Sequence, residues 1–181
     1  PRDSQFALEI ASLTTQGILG GHPDGTFRPL APVNRDAMAA FLYRFAGSPR
    51  FTPPAQSPFV DVSTANQFYK EITWLASKGV TTGWQMEDGR AEFRPYEPIA
   101  RDAMAAFLYR YDVINAPGLG APDFEGPAVS PFTDVSTDWL FYKEITWLAD
   151  RGITTGYPDG SYRPHATVNR DAMAAFLYRF Y

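Results

Sequence analysis

The chain contains no cysteine and no long apolar run among its 181 residues. Without cysteine, a disulfide framework and a thiolate metal site are both excluded. No stretch approaches the roughly 18 consecutive apolar residues that a membrane-spanning helix needs, so no membrane insertion is expected. The opening residues PRDSQF lack the charged and apolar regions of a secretion signal, which would lie outside this segment.

Positive charge is also scarce, because 20 acidic residues outnumber 16 basic ones and leave a net charge of −4. A chain with this balance has no global basic field, so nucleic acid is not an expected partner. Lysine is rare among the basic residues, since Lys70, Lys78 and Lys143 are the only three and the others are arginine. Arginine suits bidentate binding of carboxylate or phosphate, although a GC-rich genome would produce the same excess.

The most prominent feature of the sequence is a threefold internal repeat. The decapeptide RDAMAAFLYR occurs unchanged at 35–44, 101–110 and 170–179, which chance cannot explain. Its apolar residues recur at i, i+3, i+4 and i+7 from Met38, and this spacing predicts an amphipathic helix. Because one repeat of about 60 residues buries little surface alone, the three repeats are expected to share one core.

The start of this helix carries an unusual charge. Asn34 and Asn169 stand at the expected N-cap position, which the middle copy fills with Ala100. The first helical residue is arginine in all three copies, although a cation there opposes the helix dipole by about 0.3–1 kcal/mol. A mild misfit that occurs three times favours a functional explanation, and the backbone N–H groups at a helix start would also favour an anion.

Two further blocks lie upstream of the decapeptide. A helix ending in glycine is predicted in 68–83 and 141–156, with a degenerate copy in 6–21. A Pro-Asp-Gly β-turn follows in the first and third copies, and the middle copy has a longer turn. In every copy, an aromatic residue and an arginine follow the turn.

Each of the last two repeats begins with a Phe-x-Asp-Val segment, containing Asp61 and Asp134 respectively. The counterpart in the first copy would precede Pro1, so we expect the chain to begin inside a repeat of a larger protein. The predicted division is a first repeat at 1–47, a linker at 48–58, a second repeat at 59–112, a linker at 113–131 and a third repeat at 132–181. Both linkers are rich in proline, glycine and small residues.

Together these blocks resemble the S-layer homology family of cell-envelope anchors. The resemblance covers nearly the whole chain in three copies, and the combined pattern is highly specific. It implies a mainly α fold in which three helical repeats form one pseudo-threefold spindle, with a central helix bundle and three prongs. It also implies non-covalent binding of an anionic secondary cell-wall polysaccharide, often one ending in a pyruvylated amino sugar, in grooves between repeats of an extracellular protein.

The resemblance assigns the binding site residue by residue. The family's helix begins Thr-Arg-Ala-Glu, and its arginine contacts the acidic group of the ligand. Here the acid comes one position earlier, as Asn-Arg-Asp-Ala or Ala-Arg-Asp-Ala, which leaves the identity of the glycan open. The predicted ligand-binding residues are the arginines, the motif aspartates, and the glycines and aromatic-type residues that follow the first helix: Arg35, Arg101, Arg170, Asp61, Asp134, Gly21, Gly83, Gly156, His22, Trp84 and Tyr157.

Competing interpretations stay open at this point. The arginines could form ion pairs with Asp61 or Asp134, and Trp84 or Tyr157 could be rim residues rather than sugar-stacking platforms. One acidic residue in each turn is too few for a calcium cage, and His22 and His165 are too differently placed to form a metal pair, so no metal or cofactor is predicted. No catalytic motif occurs, so the segment is predicted to be no enzyme. The alternative function is a self-associating module of a surface layer without glycan binding.

Overall fold

The computed structural model describes residues 5–115 and 123–181, apart from the side chain of Asn115. Within these ranges lie six helices, namely α1 Ala7–Thr15, α2 Arg35–Phe45, α3 Tyr69–Ser77, α4 Arg101–Asn115, α5 Tyr142–Asp150 and α6 Arg170–Phe180. Two short antiparallel strands, β1 Trp84–Gln85 and β2 Ala91–Glu92, form a hairpin in the longer middle turn. The predicted mainly α fold is confirmed.

Helices pack between repeats rather than within them. The second helix of each repeat contacts the first helix of the next, as α2 packs on α3 and α4 packs on α5. The last helix, α6, returns to pack on α1. The three repeats therefore close into a ring, and each repeat needs its neighbours to bury its apolar faces.

The ring closes around one axis at both ends of the second helices. At the end where these helices begin, three backbone hydrogen bonds form a triangle: Val33 N donates to Val168 O (2.9 Å), Val168 N to Ile99 O (3.0 Å), and Ile99 N to Val33 O (2.8 Å). At the other end, the rings of Phe45, Tyr111 and Phe180 meet with centroids 5.6–5.9 Å apart. The three residues in each triangle occupy equivalent positions, so the symmetry of the sequence is also that of the core. The prongs of the spindle stay a prediction.

The first helices end as the sequence predicts. Gly79 follows α3 with φ +72°, and Val80 N donates back to Leu75 O over 3.0 Å. Gly152 ends α5 in the same way, with φ +67°. A residue with a Cβ is strained in this left-handed conformation, so glycine is the residue that lets these helices stop.

Asparagine stands at the predicted N-cap positions of α2 and α6, but the prediction that its side chain caps the helix is wrong. Asn34 and Asn169 occupy the N-cap positions, but neither side chain makes a capping hydrogen bond. Instead, the amides of Arg35 and Asp36 donate to Glu97 O and Pro95 O of the next repeat, each over 3.0 Å. Because the neighbouring backbone caps the helix, the N-cap side chain is free to vary, which explains why Ala100 is tolerated.

The boundary predicted at residue 112 falls inside a helix. Helix α4 continues to Asn115, whereas Gly47 follows α2 closely with φ +77°. The helices differ because α4 has Asp112 and Val113 where the first repeat has Ala46 and Gly47. Part of the second predicted linker, 116–122, lies outside the described residues.

Candidate functional site: arginine clefts between repeats

The three helix-leading arginines occupy equivalent places at the boundaries between repeats. Arg35 Nε donates to Phe93 O, which belongs to the next repeat, over 2.8 Å. Arg101 Nε makes the same 2.8 Å bond to Tyr162 O, and Arg170 Nε to Phe27 O. One edge of each guanidinium is thus fixed by a backbone carbonyl of the adjacent repeat.

Aromatic rings surround two of these guanidinium groups. The Cζ atom of Arg35 lies 4.2 Å from the ring centroid of Trp84, 4.9 Å from Phe93 and 5.3 Å from Phe107. Such contacts with a ring face stabilise a cation by about 0.5–2 kcal/mol, depending on how far it is desolvated.

Arg101 lies in a matching setting. Its Cζ atom is 5.1 Å from the ring centroid of Tyr157, 4.5 Å from Tyr162 and 5.3 Å from Phe176. The aromatic setting therefore recurs from cleft to cleft with the repeat.

These arginines are buried without a carboxylate partner. Arg35 and Arg101 are only 5% and 7% exposed, and no ion pair joins them to an acidic side chain of the described residues. Burial lowers the pKa of Arg35 to about 10 and also lowers the pKa of Arg170. Arg35 still carries its proton at neutral pH, and its positive charge is balanced by no ion pair within the described residues, although Glu97 and Asp61 stabilise it from a greater distance.

The aspartates of the Phe-x-Asp-Val segments do not pair with the arginines. Asp61 accepts hydrogen bonds from the amides of Phe93 (2.8 Å) and Arg94 (2.6 Å), one on each carboxylate oxygen. Asp134 accepts from Tyr162 N and Arg163 N, over 2.7 and 2.8 Å. The same segments whose carbonyls hold Arg35 and Arg101 are therefore fixed by aspartate, which gives Asp61 and Asp134 a positioning role.

The glycines of the predicted site allow a close approach by the segment's aromatic ring. A Cβ on Gly83 would lie 2.8 Å from the ring of Phe59, and one on Gly156 would lie 2.7 Å from the ring of Phe132. Both residues also have positive φ, +67° and +69°. Gly21 differs, since a Cβ there would meet only backbone atoms of Thr26.

A cleft of about 450 Å³ opens beside Arg101. It brings this arginine of the second repeat together with Gly156, Tyr157 and Asp171 of the third. Gln5, Phe6 and Leu30 of the first repeat also line it, so the cleft lies where the repeats meet. Burial raises the pKa of Asp171, which opposes a negative charge in the wall of this cleft.

A second set of arginines was not singled out from the sequence. The Cζ atoms of Arg94 and Arg163 lie 4.4 Å from the Trp84 centroid and 3.9 Å from the Tyr157 centroid. Each of these aromatic rings therefore contacts two guanidinium groups. The signal was present in the sequence, because an arginine follows the turn aromatic in all three repeats.

The expectation that helix-start amides favour an anion is wrong for the first turn of α2. The amides of Arg35 and Asp36 are bonded to the next repeat, and Ala37 N donates to Asp36 Oδ1 over 2.6 Å. Helices α4 and α6 repeat this pattern. Positive charge in the clefts therefore comes from guanidinium groups rather than from free backbone amides.

The third cleft, at Arg170, differs from the other two. Arg170 is only partly buried, and its Nη2 also donates to Gly20 O. The position equivalent to Trp84 and Tyr157 holds His22, whose Nε2 is buried without a hydrogen-bond partner among the described residues. This arginine thus has one fewer nitrogen available for a ligand.

Residues 5–115 and 123–181 contain neither a membrane-spanning helix nor a metal-binding cluster. No helix there is long and apolar enough to cross a membrane. In the same ranges, no group of three or more His, Asp or Glu side chains is placed to hold a metal ion.

The ring of helical repeats, with an equivalent arginine at each boundary, defines a class of protein: a module built from three tandem repeats. The family model of the S-layer homology domain matches residues 2–39 and 131–174, the first and third repeats, and the middle repeat has the same helices and contacts. The chain belongs to this family. Membership places it at the cell surface as an anchoring module without catalysis of its own.

Three curated relatives are similar over most of the chain. Cell surface glycoprotein 1 of Acetivibrio thermocellus is 26% identical over 91% of this chain and 7% of its own length. The cellulosome-anchoring protein of the same organism is 30% identical over 80% of this chain and 30% of its own length. An S-layer protein of Bacillus licheniformis is 28% identical over 93% of this chain and 18% of its own length. The chain thus spans less than a third of each relative.

Proposed function

We propose that the chain anchors its protein to the cell surface by binding an anionic cell-wall glycan in the clefts between repeats. The observation that carries this proposal is the buried, cationic Arg35, which forms no ion pair with any carboxylate of the described residues. Arg101 is equally buried and stands in an open cleft. Arginine binds a carboxylate through two parallel hydrogen bonds that are about twice as strong as neutral ones. The acidic group of a glycan would supply the missing charge.

The geometry of the guanidinium group supports this role. Nε is held by the carbonyl of the next repeat, and the guanidinium groups of Arg35 and Arg101 make no other hydrogen bond within the described residues. The two terminal nitrogens are therefore free to bind a ligand. A hydrogen bond to a charged group contributes about 1.5–3 kcal/mol, so losing one arginine is expected to weaken binding at its cleft by about 10- to 150-fold.

The three clefts are proposed to differ in strength. Arg170 uses Nη2 on Gly20 O, and the first repeat has His22 at the position equivalent to Trp84 and Tyr157. We therefore expect the Arg35 and Arg101 clefts to provide most of the binding. Trp84 and Tyr157 are proposed to shape those clefts, with two guanidinium groups against each ring.

Two exposed arginines provide the control. Arg50 and Arg151 are exposed, and neither lines the Arg101 cleft. The test compares the variant Arg35→Gln/Arg101→Gln with the matched variant Arg50→Gln/Arg151→Gln, which has the same change in net charge. Sedimentation with purified cell-wall glycan measures the binding.

The first variant is expected to lose binding and the matched variant to keep it. Equal binding by both variants would contradict the proposal, and equal loss would show that only net charge matters. Walls extracted with hydrofluoric acid, which removes the secondary polymer, are expected to bind neither the unchanged chain nor the matched variant. Retained binding to such walls would identify peptidoglycan as the ligand instead.

Self-association remains the alternative prediction from the sequence. Several large apolar side chains are exposed, among them Leu8, Leu140 and Tyr181. Sedimentation velocity without glycan separates the two functions, because an anchor of the proposed kind stays monomeric as its concentration is raised.

A further inference from the structure

The decapeptide ends as well as begins with an arginine, and one of these last arginines lies in a cleft between repeats. Arg179, in the last turn of α6, lines the cleft of about 450 Å³ that also holds Arg101. The two residues belong to different copies of the decapeptide, because Arg101 leads the second copy and Arg179 ends the third. One cleft therefore contains two guanidinium groups, each supplied by its own repeat.

A phenylalanine of the decapeptide brings the two arginines together. The Cζ atom of Arg101 lies 5.3 Å from the ring centroid of Phe176, and Arg179 follows Phe176 by three residues on the same helix. Residues three apart are neighbours on one helix face and are separated by about 4.5 Å along its axis. In the other two clefts, a leading arginine lies 5.3–5.9 Å from the phenylalanine that precedes a last arginine by three residues: Arg35 with Phe107 and Arg110, and Arg170 with Phe41 and Arg44.

The last arginine contacts the following first helix in the same way at two boundaries. Arg179 Cζ lies 5.7 Å from the ring centroid of Phe6, the N-cap residue of α1. Arg110 Cζ lies at the same 5.7 Å from Phe141, the N-cap residue of α5. Phe141 belongs to a repeat with its own Phe-x-Asp-Val segment, so this placement is a property of the repeat.

The guanidinium group of Arg179 has donors to spare. Arg179 is exposed, and its Nη1 donates to Ile153 O over 3.3 Å. Within residues 5–115 and 123–181, its Nε and Nη2 make no hydrogen bond, and no ion pair joins it to an acidic side chain. Asp171 lines the same cleft but precedes Arg179 by eight residues, about 12 Å along the axis of α6. Two nitrogens of Arg179 can therefore donate to an anion.

The wall of α6 leaves space beside both cations. Ala172 and Ala175 line the cleft on this helix, and Thr154 and Thr155 line it on the segment that follows α5. Alanine has the smallest side chain that carries a Cβ, so the helix does not fill the cleft. A chain of sugar rings needs such space together with polar groups in the wall.

We propose that the Arg35 and Arg101 clefts each bind two acidic groups, one at the leading arginine and one at the last arginine of the neighbouring decapeptide. Arg110 and Arg179 are then ligand-binding residues. The preferred ligand is a glycan segment that carries acidic groups on neighbouring sugars, rather than a glycan with a single acidic end. This proposal rests on the proposed function and deepens it, because it defines the number of charges that one cleft binds.

The test uses a fragment of the purified cell-wall glycan with two acidic groups, obtained by partial hydrolysis and anion exchange. It is compared with the same fragment after one acidic group has been blocked as an amide, so that length is unchanged. Isothermal titration calorimetry measures the binding of both forms to the unchanged chain, to Arg110→Gln/Arg179→Gln and to the control Arg50→Gln/Arg151→Gln. The control has the same change in net charge at exposed sites outside the Arg101 cleft. Thermal midpoints are measured for all three.

The unchanged chain and the control are expected to bind the two-acid form about 3- to 10-fold more tightly than the amide. Arg110→Gln/Arg179→Gln is expected to bind the amide as the unchanged chain does but to lose the preference, with an unchanged thermal midpoint. If the glutamines lower the midpoint, Arg110→Lys/Arg179→Lys, which keeps both charges, is expected to restore the midpoint and part of the preference.

Three results would contradict the proposal. A preference that survives in Arg110→Gln/Arg179→Gln, or one that is absent from the unchanged chain, would overturn it while leaving the proposed function intact. A lysine variant that regains its midpoint without any of the preference would do the same. Binding of neither form by the unchanged chain would overturn the proposed function, and this proposal with it.

Discussion

The positioning role of Asp134 leads to the sharpest prediction. Asp134→Asn keeps the shape of the side chain but turns one acceptor into an NH₂ group that faces a backbone N–H. Tyr162 is fully buried, so its amide cannot turn to water, whereas the exposed Arg163 can hydrate its own. Loss of a charge-assisted hydrogen bond and one unsatisfied buried donor together cost about 2–3 kcal/mol.

The expected loss is measurable in two ways. For a domain of this size, a change of 1 kcal/mol moves the thermal midpoint by about 2–4 °C, so Asp134→Asn is expected to lower it by about 4–12 °C. The urea midpoint should fall with an unchanged slope. Glycan binding is expected to weaken at the Arg101 cleft, because Arg101 depends on Tyr162 O for its position.

Asp61→Asn provides the matched control at the Arg35 cleft. It should cost a similar free energy of unfolding but weaken glycan binding at the Arg35 cleft instead of the Arg101 cleft. Combining each aspartate variant with Arg35→Gln or with Arg101→Gln shows which cleft has been weakened. If Asp134→Asn leaves stability unchanged but still abolishes binding, the aspartate contacts the glycan directly and the positioning role is refuted.

Three other predictions follow from the fold. Phe180→Ala removes one of the three rings, with Phe45 and Tyr111, that meet on the axis. It is expected to lower the free energy of unfolding in urea by about 3 kcal/mol. A decrease below about 1 kcal/mol would show that these ring contacts contribute little to stability. Gly152→Ala places a Cβ at φ +67° and is expected to lower the free energy of unfolding by about 1 kcal/mol, with Gly20→Ala, which meets no atom within 4 Å and has no positive φ, as the control. Hydrogen bonds from the Thr26 and Ser161 hydroxyls, together with Arg28 and Arg163, lower the pKa values of Asp24 and Asp159. The two carboxylates therefore stabilise the fold above the ordinary pKa of 3.8, and this stabilisation is lost as the pH falls. The difference in thermal midpoint between the unchanged chain and Asp24→Asn/Asp159→Asn should accordingly shrink between pH ~7 and ~3.

The elements that sequence reasoning predicted correctly are those with a local cause. Apolar spacing from Met38 marks a helix within its own ten residues, and Gly79 ends α3 through its own backbone freedom. The threefold repeat required only comparison of the chain with itself. These patterns can be interpreted without knowing which repeats are in contact in the folded chain.

The capping error shows where local reasoning stops. Asn34 has the right side chain in the right place, yet the amides that it was expected to serve are bonded to Glu97 O and Pro95 O, some 60 residues away. Backbone carbonyls are common to all residues, so no sequence pattern marks these two as caps. The partners of Asp61 and the carbonyl beneath Arg35 were hidden for the same reason, since all are main-chain groups.

The setting of Arg35 argues that its role is not to stabilise the fold. Burying a cation without an ion pair is unfavourable, and burial lowers the pKa of Arg35 for the same reason, although Glu97 and Asp61 act in the opposite direction. Contacts with the rings of Trp84 and Phe93 offset part of it, but an apolar residue could fill the same space without any desolvated charge. An acidic ligand removes the disadvantage, because a carboxylate at the terminal nitrogens stabilises the protonated form. The same charge that weakens the free protein therefore strengthens the complex, as expected of a residue whose partner comes from outside the chain.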